Sequence, residues 1–206
     1  MTDPDHNGTP GLRERKKRQT RALLSSVALR LAVERGITQV RVEDIAAEAG
    51  ISPRTFNNYF SSKEAAIVSV AAFRADQFCT ALRARPAREP LHAALTAAAL
   101  DLFADEPDRD WIARVQLIRS EPSLVAEERK SDAQIVHLIA TEIAARTNGD
   151  ASVELQPHLA AALVVAAIHV AIRYWLDNLA AGTLRDALTA TMRLFHIPGT
   201  PPTKPR

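Results

Sequence analysis

The chain has 206 residues, 47% of them apolar and 24% charged, which is enough to bury a sizeable core and excludes a natively unfolded polymer. One cysteine, Cys79, excludes an intramolecular disulfide and a thiolate-rich metal site. Net charge is +2, yet residues 1–63 hold 11 Lys/Arg against 7 Asp/Glu while residues 64–206 hold 15 against 17, so the cationic excess belongs to the N-terminal third.

Residues 1–12 are polar and lack the layout of a secretion signal, and read as a disordered leader in a cytoplasmic protein. Between Arg13 and Arg21 six cations (Arg13, Arg15, Lys16, Lys17, Arg18, Arg21) face one anion, Glu14. Leu23, Leu24, Val27, Ala28, Leu31 and Ala32 then make one apolar stripe, which predicts a first helix over about 13–34, ended by Gly36. A short second helix is expected over 42–49, with Ile45, Ala46 and Ala49 inward and Gly50 closing it. Ser52 reads as an N-cap with Pro53 at the first helical position, so a third helix is expected over 53–60. Ser61 and Glu64 have capping-box spacing, which predicts a long fourth helix continuing to about Leu82.

"RARPAREP", residues 83–90, combines three cations with two prolines and breaks the pattern. Further helices are expected near 91–104, 109–119, 123–147, 157–180 and 184–196, the last begun by a Thr183/Asp186 capping pair. Residues 198–206 read as a disordered Pro-rich tail. No segment alternates at a strand period, so the predicted fold is all-α. The longest apolar run, Leu159–Ile168, is bounded by His158 and His169 and falls short of the roughly 20 residues of a membrane span.

Two short helices joined by a tight glycine turn, with Ala46 four residues before Gly50 and Phe56 beyond it, satisfy the packing of a helix-turn-helix. The second helix of such a unit enters the major groove, N-terminal residues toward the base edges. That puts Pro53, Arg54, Thr55, Asn57, Asn58 and Tyr59 on or near DNA. Arg54 can reach guanine O6/N7 and an asparagine can pair with adenine N6/N7, each worth ~1–3 kcal/mol of discrimination. Phe56 and Phe60 read as core; Tyr59 and Lys63 suit phosphates.

The segment "RERKKRQTRALLSSVALRLAVERGITQVRVEDIAAEAGISPRTFNNYFSSKEAAI", residues 13–67, resembles the N-terminal domain of the TetR family of transcriptional regulators in its basic helix start, "ERG" turn, "VEDIA", "AGISPRTF", "YF" and "SKE". The resemblance implies a helix-turn-helix domain over 13–63 and a regulatory, ligand-binding and dimerisation domain over 64–197. It implies phosphate contacts from Tyr59, Lys63 and the basic arm (Arg13, Lys16, Lys17, Arg18). Val40 and Arg41 stand where the family often has Thr or Ser; Arg41 would replace a hydroxyl contact to phosphate with a charge, and leaves the local cap open.

DNA readers of this kind pair up to match a palindromic operator. The helix over 157–180 is apolar nearly all round, and with the helix over 184–196 (Leu184, Leu188, Met192, Phe195) it could form a four-helix homodimer bundle; the alternative is that both are buried within one subunit. TetR-like proteins bind a small molecule in the C-terminal region, and Phe73, Phe78, Phe103, Trp111, Arg114, Val115, Ile118 and Ile139 are candidate ligand residues, though aromatics at helical spacing also read as core. "VQLIRSEPSLVAEERK" and "RYWLDNLAAGTLRDAL" resemble a TetR subgroup associated with acyl-CoA-like ligands. In that case Trp111, Val115 and Ile139 would line an acyl tunnel, with Arg114 or Arg119 at the head group or else in ion pairs with Glu121 or Asp110. No catalytic set, cofactor fingerprint or metal site is expected: His137, His158 and His169 fall on different predicted faces, and Cys79 reads as a small core residue. The expected function is a dimeric, ligand-released repressor that is not an enzyme; the other readings are an architectural DNA binder and an acyl-CoA-binding protein with a vestigial helix-turn-helix.

Overall fold

The computed structural model describes residues 11–105 and 107–194. Most of the leader, the tail and Phe195 lie outside the described residues. Among the described residues every regular element is helical: α1 (Leu12–Arg35), α2 (Val42–Glu48), α3 (Pro53–Asn57), α4 (Lys63–Val68), α5 (Val70–Ala84), α6 (Leu91–Asp101), α7 (Arg109–Ser120), α8 (Pro122–Thr147), α9 (Leu155–Asp177) and α10 (Leu184–Leu194), with 3-10 turns at Ile37–Gln39 and Leu179–Ala181. The all-α expectation holds, and apart from the fourth, which is split in two, each expected helix is present within a few residues of its predicted bounds.

Two compact units emerge. One comprises the described residues up to Val70 together with Ala113–Glu127; the other comprises Ala71–Ile112 and the chain from Glu128 onward. The expected boundary at residue 63 therefore leaves out part of the N-terminal unit. Its core gathers Leu24, Ala28 and Leu31 of α1, Ile45 of α2, Phe56 of α3 and Ile67 of α4, and recruits Ile118 of α7 and Leu124 of α8. Sequence spacing could not assign those two residues to this unit, because the contact spans some fifty intervening positions. Leu23, expected in the inward stripe, is 48% exposed, whereas Leu29 is buried.

Three local expectations are corrected. The third helix ends at Asn57, not Phe60: the Asn58 and Tyr59 N–H groups donate three residues back, to Thr55 and Phe56 carbonyls at 3.1 and 2.8 Å, a tightened last turn that suits two poor helix formers in succession. The cap of the next helix is Ser62 rather than Ser61, its hydroxyl accepting from Ala65 N–H at 3.0 Å. The long fourth helix is interrupted at Ser69, whose hydroxyl donates to the Ala66 carbonyl at 2.8 Å and lies 3.3 Å from Ser25 Oγ. Serine bonding back to its own helix is a recognised cause of bending.

In the C-terminal unit α10 packs on α9 and α6. Leu184, Leu188 and Met192 of α10 and Ala161, Val164, Ala171 and Trp175 of α9 are buried, so the apolar face of α10 is used within its own chain. Thr183 and Asp186 form the expected cap, Asp186 Oδ2 accepting from Thr183 N–H and Thr183 Oγ1 from Asp186 N–H. Arg146 closes the "RARPAREP" turn by donating to the Arg85 and Glu89 carbonyls, both at 3.2 Å. α9 runs 23 residues and is, by length and composition alone, apolar enough to cross a membrane; eight of its residues are instead buried in the fold.

Candidate nucleic-acid interface

The turn between α2 and α3 is built by glycine chemistry. Gly50 adopts φ 68°, the left-handed region that side-chain-bearing residues avoid. Its N–H donates to the Ala47 carbonyl at 3.1 Å and the next N–H, of Ile51, to Ala46 at 2.9 Å, which closes the orphan carbonyls of α2. Ala46 and Phe56 are fully buried, so a small residue and an aromatic anchor hold α2 against α3. Ser52 Oγ accepts from Thr55 N–H at 3.1 Å, and Pro53 occupies the first turn of α3.

That packing leaves Pro53, Arg54, Asn57 and Asn58 exposed, with Thr55 and Tyr59 half-buried. Thr55 Oγ1 already lies 2.9 Å from Ser52 Oγ. Phe60 is buried with its ring centre 5.8 Å from that of Phe56. On α1, Arg13, Lys16, Lys17 and Arg18 are all exposed. Arg21 departs from that run: its Nη1 donates to the Tyr59 carbonyl at 2.8 Å and its guanidinium lies 4.4 Å from the Phe60 ring centre. It thereby fastens the basic helix to the end of α3, a role that its place in a run of cations did not disclose.

Arg41 stands at the N-cap of α2 and is exposed. An arginine side chain has no acceptor, so it cannot cap; Asp44 supplies the reciprocal bond instead, its Oδ2 accepting from Arg41 N–H at 2.9 Å. This answers the open question about the cap and leaves the guanidinium available. Lys63 carries a structural load: its ammonium donates to the Ile37 and Val40 carbonyls at 2.6 and 2.7 Å, which leaves one of three N–H groups for an outside ligand. Arg41, Asn57 and Lys63 line one open surface depression with Glu43 and Ser62.

The candidate ligand residues divide. Phe78, Phe103, Trp111 and Ile139 are buried in the C-terminal unit, and Phe73 is half-exposed there. Trp111 meets Phe103 edge-on at 6.0 Å and Trp175 at 6.4 Å. Arg74 caps this aromatic group, 4.7 Å from Phe103 and 5.3 Å from Trp111, and donates to the Leu102 carbonyl at 3.1 Å. Burial pulls its guanidinium below the ordinary arginine range, Asp108 opposing. Trp175 and Arg74 were not singled out from the sequence. Arg114, Val115 and Ile118 belong to the N-terminal unit instead. Arg114 is buried, donating to Ser25 Oγ at 3.0 Å and to the Ile67 carbonyl, and so ties α7 to α1 and α4.

His137 and His158, expected on separate faces, stack at 6.1 Å between ring centres, and His158 Nε2 lies 2.7 Å from the Ala151 carbonyl. Cys79 is buried, which pushes its thiol up to about 11, far from an activated thiolate.

Comparison with known proteins places this geometry. Residues 24–69 match the family of bacterial regulatory proteins of the tetR type, and residues 86–198 match the MftR C-terminal domain. The HTH-type transcriptional regulator TcmR of Streptomyces glaucescens is 31% identical over 174 residues, covering 81% of this chain and 77% of TcmR. MftR of Mycobacterium tuberculosis, named for the transcriptional regulation of mycofactocin biosynthesis, is 29% identical over 166 residues, covering 80% of this chain and 83% of MftR. Among solved structures, NalD of Pseudomonas aeruginosa, the secondary repressor of the MexAB-OprM efflux pump, superposes with a TM-score of 0.52 at 17% identity over 87% of this chain and 95% of NalD. The fatty acid degradation regulator FadR of Bacillus halodurans gives 0.52 at 18% identity over 91% and 96%; at such identity both speak to fold alone. An exposed polar edge on α3, a glycine-turned helix pair and two family matches covering most of the described chain lead to one conclusion: the protein belongs to the TetR family of transcriptional regulators.

Proposed function

We propose that this regulator is a repressor that binds a palindromic operator as a homodimer and leaves it when an apolar small molecule occupies the C-terminal unit. The observation that carries the DNA-reading half is the row Arg54, Asn57 and Asn58, exposed on α3 and at its C-terminal end and joined through Arg21 to the cationic start of α1. Arg54 and the asparagines would read bases; Arg13, Lys16, Lys17, Arg18, Arg41, Pro53, Thr55, Tyr59 and Lys63 would position the helix on the backbone. Dimerisation is supported by the outer face of α9, where Leu155, Leu159, Val170 and Tyr174 are 45–79% exposed at helical spacing.

For the effector, the proposed site lies among Phe78, Phe103, Trp111 and Ile139, extended by Trp175 and Arg74. An acyl-CoA suits apolar walls with one cation, and Arg74 replaces Arg114 as its anchor because Arg114 is committed to Ser25 and Ile67. Release requires that the ligand favour one of two conformations, since equal affinity for both shifts nothing.

The test is a gel shift on the chain's own upstream DNA, with salt and competitor titrated. A discrete complex that resists competitor, weakens steeply with salt and loses sequence preference in Asn58→Ala is expected. Weak binding indifferent to sequence, there and across random oligonucleotides, would remove the reading.

A further inference from the structure

Glu43 sits in the first turn of α2, exposed, and lines the depression that also holds Arg41, Asn57 and Lys63. Its acidic neighbours are engaged: Asp44 accepts from the Arg41 N–H, and Glu48 pairs with Arg30 at 2.6 Å. Among the described residues no hydrogen bond or ion pair engages the Glu43 carboxylate. A bare carboxylate on a face that approaches phosphates is repelled by them, and a hydrogen-bond donor on a base edge offsets that cost.

The base edges differ in what they offer such a group. Guanine presents two acceptors to the major groove and thymine an acceptor beside a methyl group. Adenine sets its N6 donor against the N7 acceptor, whereas cytosine presents the N4 amino group alone. Glu43 and Asn57 share one depression although they come from different helices, so a duplex seated on α3 meets both. We infer that Glu43 is a specificity-determining residue, accepting a hydrogen bond from cytosine N4 at a position beside the one read by Asn57, and excluding guanine and thymine there. The inference rests on the DNA-reading role proposed above. The competing account of this carboxylate is that it only complements the dipole at the start of α2, which would affect stability and leave base preference alone.

The test is selection from a randomised duplex library with the full chain as wild type, Glu43→Gln and Glu43→Ala, followed by binding titrations on the selected site and on versions changed at single positions. Thermal melting is recorded for each protein. The wild type is expected to select a two-fold symmetric motif with one cytosine per half-site whose replacement weakens binding by roughly 5- to 150-fold. In Glu43→Ala that discrimination disappears while affinity for unrelated duplex rises, because a repulsive charge has gone. In Glu43→Gln the preference moves toward adenine, whose N6/N7 pair takes an amide. Three identical motifs, with a change in melting alone, overturn the inference in favour of the helix-dipole role. A motif in the wild type whose positions are all indifferent to Glu43 also overturns it while leaving the regulator reading intact, and a wild type that selects nothing removes both.

Discussion

Two polar arrangements distinguish individual residues. Arg114 and Ser25 are among the buried polar side chains of the described core, and Arg114 Nη1 donates to Ser25 Oγ at 3.0 Å. Asp132 is less fortunate: its Oδ1 is buried without a partner and its Oδ2 lies 3.8 Å from His169 Nδ1. Burial raises the Asp132 carboxyl above its ordinary range, with His169 pulling it back part way; Glu128 beside it is raised for the same first reason, Asp132 adding and His169 and Arg173 opposing. A carboxyl with a raised pKa in the folded state holds its proton more tightly there, so its contribution is favourable below the unfolded value and is lost as pH rises through the folded one. At neutral pH Asp132 therefore costs stability. Asp132→Asn is expected to raise the Tm at pH 7, and the gap to wild type should close as the pH falls below the aspartate range. A Tm that drops at pH 7 would mean that the His169 contact outweighs desolvation.

At the scale of elements, caps decide where helices begin. Ser61 and Ser62 are adjacent and chemically equal, but the hydroxyl that reaches an orphan amide is that of Ser62, at Ala65 N–H. Ser62→Ala should cost about 1 kcal/mol in urea unfolding, while Ser61→Ala should stay within about 0.5 kcal/mol. Equal losses would show that the chain can shift its cap by one residue. α2 achieves the same end without a capping hydroxyl, through Asp44 and the Arg41 amide, which frees the Arg41 side chain. The break at Ser69 has a comparable origin in one hydroxyl bonding backward.

For the whole molecule, assembly depends on which apolar surface is already buried within the chain. α10 buries Leu184, Leu188 and Met192 against its own unit, whereas α9 leaves Leu159, Val170 and Tyr174 outside. A homodimer interface over α9 predicts that Leu159→Glu with Val170→Glu lowers the molar mass seen by light scattering to that of one chain, with helical content by circular dichroism unchanged. Operator affinity should fall with it, because a half-site alone supplies few base contacts. A double variant that keeps the wild-type mass would place the interface elsewhere.

The all-helical class, the order of the helices and the glycine-turned pair were legible in the sequence. These depend on apolar spacing, on Gly36 and Gly50, and on Ser52-Pro53, all of which act within a few residues. It also carried the exposed edge of α3, since Phe56 and Phe60 could be read as anchors and the polar residues between them as the face left over. It took the packed helices to establish that Arg114 and Ile118 serve the N-terminal unit, that Lys63 gives two protons to the Ile37 and Val40 carbonyls, that Arg21 grips the end of α3, and that Arg74 stands over Phe103 and Trp111. All are contacts between residues tens of positions apart, and all but that of Ile118 are made by a long flexible cation whose charge announces itself in the sequence while its partner depends on which backbone carbonyls, hydroxyls and rings the packed helices bring within reach.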